Sequence, residues 1–282
     1  MNNQILTWDG HSHTQMCRHG SLQPTEKHVL KAIEKGFKTL SVTEHAPLPD
    51  GYLKDQKMQH IISLKEEELD EYFKHLENLK QRYSPDITIL QGFEFDYLPG
   101  RADETKRQVE SYEWEDAVIS IHFLCVDGVN EPIDFTPESF SSGVKNHFGS
   151  IFETHMHYWR EYKKMAELCA DLKKSPKLGH PFLINKFIQN FPLTTQESVD
   201  LENYVIHEIL PILVKGKLKV DFNFSGIDVP TCKQPYVTNT VAIECMKLDI
   251  PLIYGSDSHS PDHIGRYHKN YLNFIAAHSS ES

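Results

Sequence analysis

The segment DGHSHTQMCRHG, residues 9–20, combines three histidines with few residues that could form a core. His11 and His13 are two positions apart, and His19 follows them closely. In an extended segment, side chains at positions i and i+2 point to the same side, so His11 and His13 can bind one ion together. Two solvated histidines on an edge strand would have the same spacing. The rest of the chain must decide between these interpretations.

Other residues of the metal-ligand type end short apolar runs farther along the chain. Histidine is unusually frequent, because its 17 copies outnumber both the 14 glycines and the 15 prolines of this 282-residue chain. Gly and Pro average about 7% and 5% of ordinary proteins. The further candidates at the ends of such runs are Glu44, His45, Glu94, His122, His180, Asn223, Asp257 and His259. This repeated placement favours one shared site.

Seven strand-like runs and several helical patterns alternate along the chain. The runs are ILTWDGH, TLSVT, ITILQGFEF, AVISIHF, PKLGH, LKVDFNF and IPLIYGS, and helical patterns include 25–35, 152–172 and 196–214. This alternation predicts an α/β fold with a parallel sheet that can close into a barrel. We expect one domain over 1–282, with a frayed tail at 278–282. The carboxyl ends of the strands, where the candidates lie, would form one face.

Nine of the candidates are metal donors: His11, His13, His19, His45, Glu94, His122, His180, Asp257 and His259. One tetrahedral zinc ion needs about four ligands, so the set implies more than one ion. Imidazole and carboxylate ligands without thiolate suit Zn, Fe, Mn or Co, and a carboxylate such as Glu94 can bridge two ions. Two ions about 3.5–4 Å apart can activate a hydroxide and bind the oxygens of a phosphoryl group. The sequence thus predicts two to three divalent transition-metal ions.

Seven motifs follow one another along the chain: DGHSH with a following His, TEH, GFEFD, SIH, LGHP, DFNFSG and GSDSH. In this order, and over nearly the whole chain, they resemble the polymerase-and-histidinol-phosphatase (PHP) superfamily. The chain length and the segments CRHG, TEHAPLP and GFEFDYLPG look most like its monofunctional histidinol-phosphate phosphatases. The resemblance implies a distorted seven-stranded (β/α) TIM-like barrel of the PHP type, with a longer substrate-side segment at about 123–152.

The resemblance also implies a trinuclear metal centre. By motif position, the first ion would be held by His11, His13, Glu94 and Asp257, the second by Glu94, His122 and His180, and the third by His19, His45 and His259. A hydroxide between the first two ions would attack phosphorus, with Glu94, Asp257 and His122 as the catalytic set. Many relatives have TDH where this chain has TEH at 43–45. The role of Glu44, behind the ligands or at the leaving group, therefore stays open.

The expected substrate is a small phosphate monoester, L-histidinol phosphate of histidine biosynthesis. Its phosphate needs a cation. The substrate-side candidates are Arg160 and Lys186, with Arg18 and Arg266 as further cations, and the polar residues Glu44, Asp96 and Asn223. Each cation can equally be a surface residue. Asp96 can meet a substrate ammonium group or cap a helix.

Several aromatic residues and one histidine have two interpretations each. Tyr97, Phe123, Phe182 and Tyr236 can line a slot for an imidazole or belong to the core. His155 falls on the apolar face of the helical pattern at 152–172, so we expect it in the core.

Composition argues against several partners and locations. The formal net charge of −11 disfavours nucleic acid, which binds basic faces. Bound metal ions would still allow a small phosphate to bind. The start of the chain has no secretory pattern, and no apolar run reaches the roughly 18 residues of a membrane helix. Five cysteines without a C-x-x-C motif indicate reduced packing residues. We expect a cytoplasmic protein, either a monomer or a small homo-oligomer.

Three other functions share parts of this pattern. A metal-dependent amidohydrolase would direct the same hydroxide at a carbonyl, but such enzymes usually have a bridging lysine and fewer ligands. A PHP phosphoesterase could act on another small ester, a nucleotide or a nucleic acid. A metal-storage or regulatory barrel would have lost its catalytic activity. All nine donors are present, which disfavours this alternative because such a loss would remove some of them. Activity on small esters with none on DNA would separate these functions.

Overall fold

Short runs of β-branched and aromatic residues form the strands of a central sheet in the computed structural model, which describes residues 3–279. The strands are β1 (Trp8–Asp9), β2 (Thr39–His45), β3 (Thr88–Asp96), β4 (Asp116–Ser120), β5 (Phe123–Val126), β6 (Val129–Pro132), β7 (Lys177–Leu178), β8 (Val220–Asn223) and β9 (Leu252–Gly255). Seven of them form one parallel sheet in the order β1-β2-β3-β4-β7-β8-β9, and β5 pairs with β6 in an antiparallel hairpin.

The first and last strands of the sheet meet through their carboxyl-terminal extensions. Ser12 forms a parallel bridge with Ser258, and the amide of His13 donates to the Ser258 carbonyl over 2.9 Å. The sheet is therefore a nearly closed barrel, which confirms the α/β fold expected from the sequence.

Helices connect the strands and cover the barrel. They are α1 (Asn3–Leu6), α2 (Thr25–Glu34), α3 (Gln56–Ile62), α4 (Leu69–Tyr83), α5 (Ala102–Ser111), α6 (Pro137–Ser139), α7 (Asn146–Phe148), α8 (Ile151–Ala170), α9 (Thr195–Tyr204), α10 (Leu210–Gly216), α11 (Asn239–Lys247) and α12 (His268–His278). A π-helical turn at Val205–Ile209 joins α9 to α10, so the helical pattern predicted at 196–214 is confirmed. Within residues 3–279, no helix has the length and apolar content required to cross a membrane.

Some boundaries differ from the sequence prediction. Ile5 and Leu6, predicted to begin the first strand, lie in α1. β7 has two residues where five were predicted, and the chain leaves it at His180 with a φ of +21°, outside the extended region. Of the tail predicted at 278–282, residues 280–282 lie outside the described part of the chain.

The helices pack on the barrel through large apolar side chains. In α8, Tyr158, Trp159 and Met165 are fully buried, as expected for a helix with one apolar face. The hydroxyl of Tyr72 in α4 donates to the Gly92 carbonyl of β3 over 2.6 Å, which ties that helix to the sheet. These contacts hold the strand ends in fixed positions.

Polar side chains fill the amino-terminal end of the barrel. Lys177 forms a buried ion pair with Asp116, and Ser41 donates to the same carboxylate over 2.5 Å. The indole of Trp8 donates to the Ser41 hydroxyl over 2.8 Å. These residues lie at or near the starts of their strands, where polar networks stabilise a parallel barrel. Active sites of such barrels lie at the opposite end.

Candidate metal centre

A cavity of about 760 Å³ opens at the carboxyl ends of the barrel strands. Seven of the nine predicted donors line it: His19, His45, Glu94, His122, His180, Asp257 and His259. His11 and His13 are fully buried beneath them, with their ring centroids 5.3 Å apart. The structure therefore brings the predicted donors together at one face, and it places the two histidines of the opening motif on the same side of their segment.

Glu94 lies at the centre of the cluster, and its two oxygens face different histidines. Its Oε2 atom lies 3.2 Å from His11 Nε2 and 3.5 Å from His13 Nε2. Its Oε1 atom lies 2.9 Å from His180 Nε2 and 3.5 Å from His122 Nε2. A carboxylate in this arrangement can join two ions, one on each oxygen.

Asp257 supplies a second carboxylate on the His11 and His13 side. Its Oδ1 atom lies 3.4 Å from His13 Nε2 and 3.9 Å from His11 Nε2. Its other oxygen accepts hydrogen bonds from the Asn223 amide over 3.2 Å and from the Ser225 hydroxyl over 3.1 Å. Asn223, expected to touch substrate, therefore holds the carboxylate of Asp257 in place.

Two donor residues follow their strands with unusual backbone angles. Asp257 has a φ of +49° and His180 a φ of +21°, although neither is a glycine. Such conformations cost on the order of 1–3 kcal/mol and persist where the surrounding structure requires them. The strain is consistent with side chains that are aimed at a functional centre.

A third group of donors lies on the outer side of the cluster. His19 Nε2 is 3.0 Å from His259 Nε2. His45 stacks on His13 with their ring centroids 4.5 Å apart. Cys17, expected to be a packing residue, is buried beside them, and its ligand atom lies within 4.8 Å of those of His13, His45 and His259.

Three of the histidines have a carboxylate behind them. The pairs are His11 Nδ1 with Asp221 Oδ2 at 2.8 Å, His13 Nδ1 with Glu44 Oε1 at 3.3 Å and His122 Nδ1 with Asp96 Oδ1 at 2.8 Å. A histidine that donates from Nδ1 to a carboxylate presents the lone pair of Nε2 on its opposite side. In all three rings, Nε2 faces Glu94.

These pairs change the roles expected for two acids. Glu44 is buried, binds His13 and accepts from the amide and hydroxyl of Thr14, and it does not line the cavity. The carboxylate of Glu44 therefore lies behind a proposed ligand, which is one of the two positions left open by the sequence. Asp96 does line the cavity, but it also binds His122, so it is not a free partner for a substrate ammonium group.

Sequence reasoning missed Asp221. It lies in β8 two residues before Asn223, and both side chains therefore point into the barrel. A Cβ atom at Gly255 would lie 1.9 Å from Asp221 Oδ1, so glycine at that position makes room for the carboxylate beside His11. An acid inside the apolar run LKVDFNF was the available signal.

Neighbouring carboxylates control the protonation of the inner histidines. Burial by itself lowers the pKa of an imidazole, yet Glu94 and other carboxylates raise the pKa of His11 well above its usual value. The same environment raises the pKa of His13 to about 9 and that of His122 to about 10, against the effect of burial. Without a metal ion, these rings hold protons that balance the charge of the acids.

The outer histidines and the two central acids shift in the opposite direction. Burial lowers the pKa of His45 and that of His259 well below their usual values. Burial alone would raise the pKa of Glu94 and Asp257, but the surrounding imidazoles hold both pKa values well below their usual range. The two acids are thus ionised and the outer imidazoles neutral, which are the forms that bind metal ions, whereas the inner imidazoles must lose their protons first.

Unpaired buried atoms fit the same conclusion. Within the described residues, His13 Nε2, His45 Nε2 and His180 Nδ1 are buried without a hydrogen-bond partner. Buried polar atoms are nearly always paired, so each such atom requires an explanation. All three histidines belong to groups of donors close enough to share an ion, and the donor chemistry fits a divalent transition metal.

Two of the predicted cations line the cavity, and two do not. Lys186 lies 3.3 Å from Asp134, and Arg266 lies 3.2 Å from Asp228 and donates to the Asp257 carbonyl over 2.7 Å. The side chains of both cations and of their partners Asp134 and Asp228 line the cavity.

Arg160 is exposed on α8 and does not line the cavity. It lies on the solvent face of its helix, so nothing in its position supports the predicted substrate contact. Arg18 pairs with Glu68 away from the lining residues. Of the predicted aromatics, Phe123 and Tyr236 line the cavity, whereas Tyr97 and Phe182 do not. His155 is buried in the core as expected.

Comparison with known proteins gives one family match. The model of the family described as "PHP domain" matches residues 9–215, which is most of the chain and includes the strands β2 to β7. The matched region includes the opening histidine motif, Glu94, His122 and His180.

Full-length relatives and solved structures are also similar. A histidinol-phosphatase of Bacillus subtilis is 28% identical over 94% of this chain and 97% of its own length. A structure from Listeria monocytogenes, provisionally described as the histidinol phosphatase hisK, has a TM-score of 0.86 and 33% identity, covering 94% of this chain and 99% of that one. A histidinol phosphate phosphatase structure from Lactococcus lactis, complexed with zinc, L-histidinol and phosphate, has a TM-score of 0.68 and 20% identity over 96% of this chain and 93% of that one. The last of these shows similarity of fold.

Proposed function

The chain belongs to the PHP domain family, and on that premise we propose that it is a metal-dependent phosphatase that hydrolyses L-histidinol phosphate to L-histidinol and phosphate. The observation that carries the proposal is the position of Glu94, whose two oxygens face separate pairs of histidines at the base of a cavity. Divalent ions held by such donors supply an acidified water and bind the oxygens of a phosphate ester.

We propose two to three ions, drawn from Zn, Fe and Mn. His11, His13, Glu94 and Asp257 would hold the first, and Glu94, His122 and His180 would hold the second, which is supported by the short distances between these side chains. His19, His45 and His259 would contribute to the third. The zinc in the Lactococcus protein supports this choice of metal, and the donor types are compatible with all three elements.

Residues of the cavity wall would bind the rest of the substrate. Lys186 and Arg266 are the cations proposed to bind the phosphate, and each has an acidic partner that holds it in the wall. Asp134 is the proposed partner of the substrate ammonium group, because its half-buried carboxylate lines the cavity beside Lys186. Phe123 and Leu183 would pack against the imidazole.

The segment at about 123–152 supports a substrate-side role. Phe123, Pro132, Asp134 and Phe135 from this segment all line the cavity. They follow or belong to the hairpin of β5 and β6, which is outside the barrel sheet. We propose that 1–282 is one barrel domain and that this hairpin segment determines which leaving group fits.

The second candidate is a phosphatase for another small ester or a nucleotide. The proposed metal ligands would bind the phosphate group of any monoester. Selectivity between such substrates would therefore depend on the residues of the cavity wall. The net charge of −11 disfavours a long nucleic acid.

The test is phosphate release from L-histidinol phosphate and from matched sugar, nucleotide and amino-alcohol phosphates, with DNA as a further substrate. We expect the highest kcat/KM for L-histidinol phosphate and no cleavage of DNA. Equal turnover of all small esters would support phosphatase activity but contradict the preference for L-histidinol phosphate. DNA cleavage without ester hydrolysis would contradict both.

A further inference from the structure

Cys17 lies inside the proposed metal centre. Only 3% of the surface of this residue is exposed. Its neighbours Arg18 and His19 in the same loop are exposed. Its Sγ atom lies 3.4 Å from both ring nitrogens of His19. The ligand atoms of Cys17, His13, His45 and His259 are all within 4.8 Å of one another.

The loop backbone holds this cysteine in place. The amide of Cys17 donates to the Thr14 carbonyl over 3.2 Å, and the Cys17 carbonyl accepts from the amide of Gly20 over 3.0 Å. The amide of Ser21 then donates to the His259 carbonyl over 2.9 Å, which anchors the loop to the segment after β9. The position of the sulfur therefore depends on the same backbone contacts that position His259.

A second observation points to a ligand at this place. The Nε2 atom of His45 is buried without a hydrogen-bond partner within the described residues, and this ring belongs to the same group of donors as Cys17. Ligand atoms that share a tetrahedral zinc ion are roughly 3.5 Å apart, given Zn–N and Zn–S distances of about 2.1 and 2.3 Å. The ligand atoms of this group lie within 4.8 Å of one another, so the side chains must move closer together to share an ion.

We propose that Cys17 is a ligand of the third metal ion, bound through Sγ together with His45, His259 and the more exposed His19. The cysteine proton passes to solvent as the metal–sulfur bond forms. This donor set differs from the nitrogen and oxygen sets of the other two sites. Because thiolate is a soft ligand, the third site selects zinc over manganese more strongly than its neighbours do.

The inference rests on the metal centre proposed above and is independent of which ester is hydrolysed. It is tested on metal-free protein reloaded with Co²⁺, because a cobalt–thiolate bond absorbs in the near ultraviolet whereas cobalt bound to imidazole and carboxylate does not. Cys17→Ser keeps the size of the side chain. Cys125→Ser is the matched control, since Cys125 is a half-buried cysteine of β5 outside the donor group.

We expect the absorption band in the wild type and in Cys125→Ser, and its loss in Cys17→Ser. In competition with a chelator, Cys17→Ser should bind its weakest zinc ion at least tenfold less tightly, with manganese binding nearly unchanged. A wild-type protein without the band, or a band that survives in Cys17→Ser, overturns the proposal. Loss of the band in both variants overturns the proposal as well, because the band would then depend on the integrity of the fold and not on a bond to Cys17.

X-ray absorption at the zinc edge of the wild type avoids dependence on a variant that fails to fold. A sulfur neighbour at about 2.3 Å is expected in addition to the nitrogen and oxygen neighbours at about 2.0–2.2 Å. A spectrum with nitrogen and oxygen neighbours alone contradicts the proposal. Failure of the protein to hydrolyse L-histidinol phosphate would leave both spectroscopic results unchanged, so the two hypotheses fail separately.

Discussion

His11 Nδ1 lies 2.8 Å from Asp221 Oδ2, and the two residues are 210 positions apart in the chain. This pair orients the His11 ring so that its Nε2 atom faces Glu94. We predict that Asp221→Asn lowers zinc affinity by about 10–100-fold, the usual cost of removing a carboxylate behind a metal-bound histidine. The measurement is chelator competition on purified protein. Asp249→Asn, which removes an exposed acid, should leave the affinity unchanged. Equal affinities in the two variants would show that the pair has no role in metal binding.

Lys186 and Arg160 provide a matched test of phosphate binding. Both were predicted from sequence, but only Lys186 lines the cavity. We expect Lys186→Ala to reduce kcat/KM for L-histidinol phosphate by roughly tenfold or more, since a hydrogen bond to a charged group contributes about 1.5–3 kcal/mol. Arg160→Ala removes the same charge from the surface and should change kcat/KM by less than about twofold. A similar loss in both variants would indicate a general effect of charge and contradict the proposed contact.

The raised pKa values predict how metal affinity depends on pH. In metal-free protein His13 has a pKa of about 9 and His122 a pKa of about 10, so both hold a proton at neutral pH. A metal ion must displace these protons, and its apparent affinity should therefore rise as the pH rises towards 9, by up to tenfold per pH unit for each proton displaced. Calorimetry in buffers of different ionisation enthalpy counts the protons released. An affinity that is constant between pH 6.5 and 8.5 would contradict the proposed ligands.

His155 predicts an acid-dependent loss of stability that is separate from the metal centre. Burial lowers the pKa of this core histidine to about 3, so the folded protein keeps it neutral. The unfolded chain binds a proton near pH 6.5, and stability is therefore unaffected above that value and lost as the pH falls from 6.5 towards 3. At pH 5 the loss is about 2 kcal/mol.

His155→Leu should remove that dependence. Urea denaturation with chelator present, at pH 7 and at pH 5, compares the variant with the wild type. Relative to its own value at pH 7, the free energy of unfolding of the variant should fall by about 2 kcal/mol less than that of the wild type. A His60→Gln variant, which changes an exposed histidine, should follow the wild type. Parallel curves for all three proteins would mean that His155 is protonated in the fold.

The alternation of strands and helices and the donors at the strand ends could be predicted from sequence because both are local patterns. Residue type and spacing identified Glu94 and His180 near the ends of their runs, and the parallel barrel then brings all strand ends to one face. Strand lengths could not be predicted. β1 and β7 have only two residues each, although the apolar runs that contain them are longer.

The contacts behind the ligands depend on distances that the sequence does not contain. Asp221 meets His11 only because the strands close into a barrel, and Gly255 leaves space for that contact. Cys17 lies among histidines because its loop folds back towards His259. Arg160 and Lys186 are both cations, but Arg160 lies on the exposed face of α8 and Lys186 in a short helical turn after β7, and only the tertiary structure shows which of them reaches the cavity wall.

The central claim is that Glu94 joins two ions that the reaction requires, with Asp257 completing one of the sites. Elemental analysis of wild type, Glu94→Gln and Asp257→Asn, made on the same samples as phosphate release from L-histidinol phosphate, tests it most directly. We predict two to three metal equivalents and turnover in the wild type, and at least one equivalent fewer with no turnover in either variant, while circular dichroism is unchanged. Near-normal turnover in Glu94→Gln, or active wild-type protein without metal, would contradict the account.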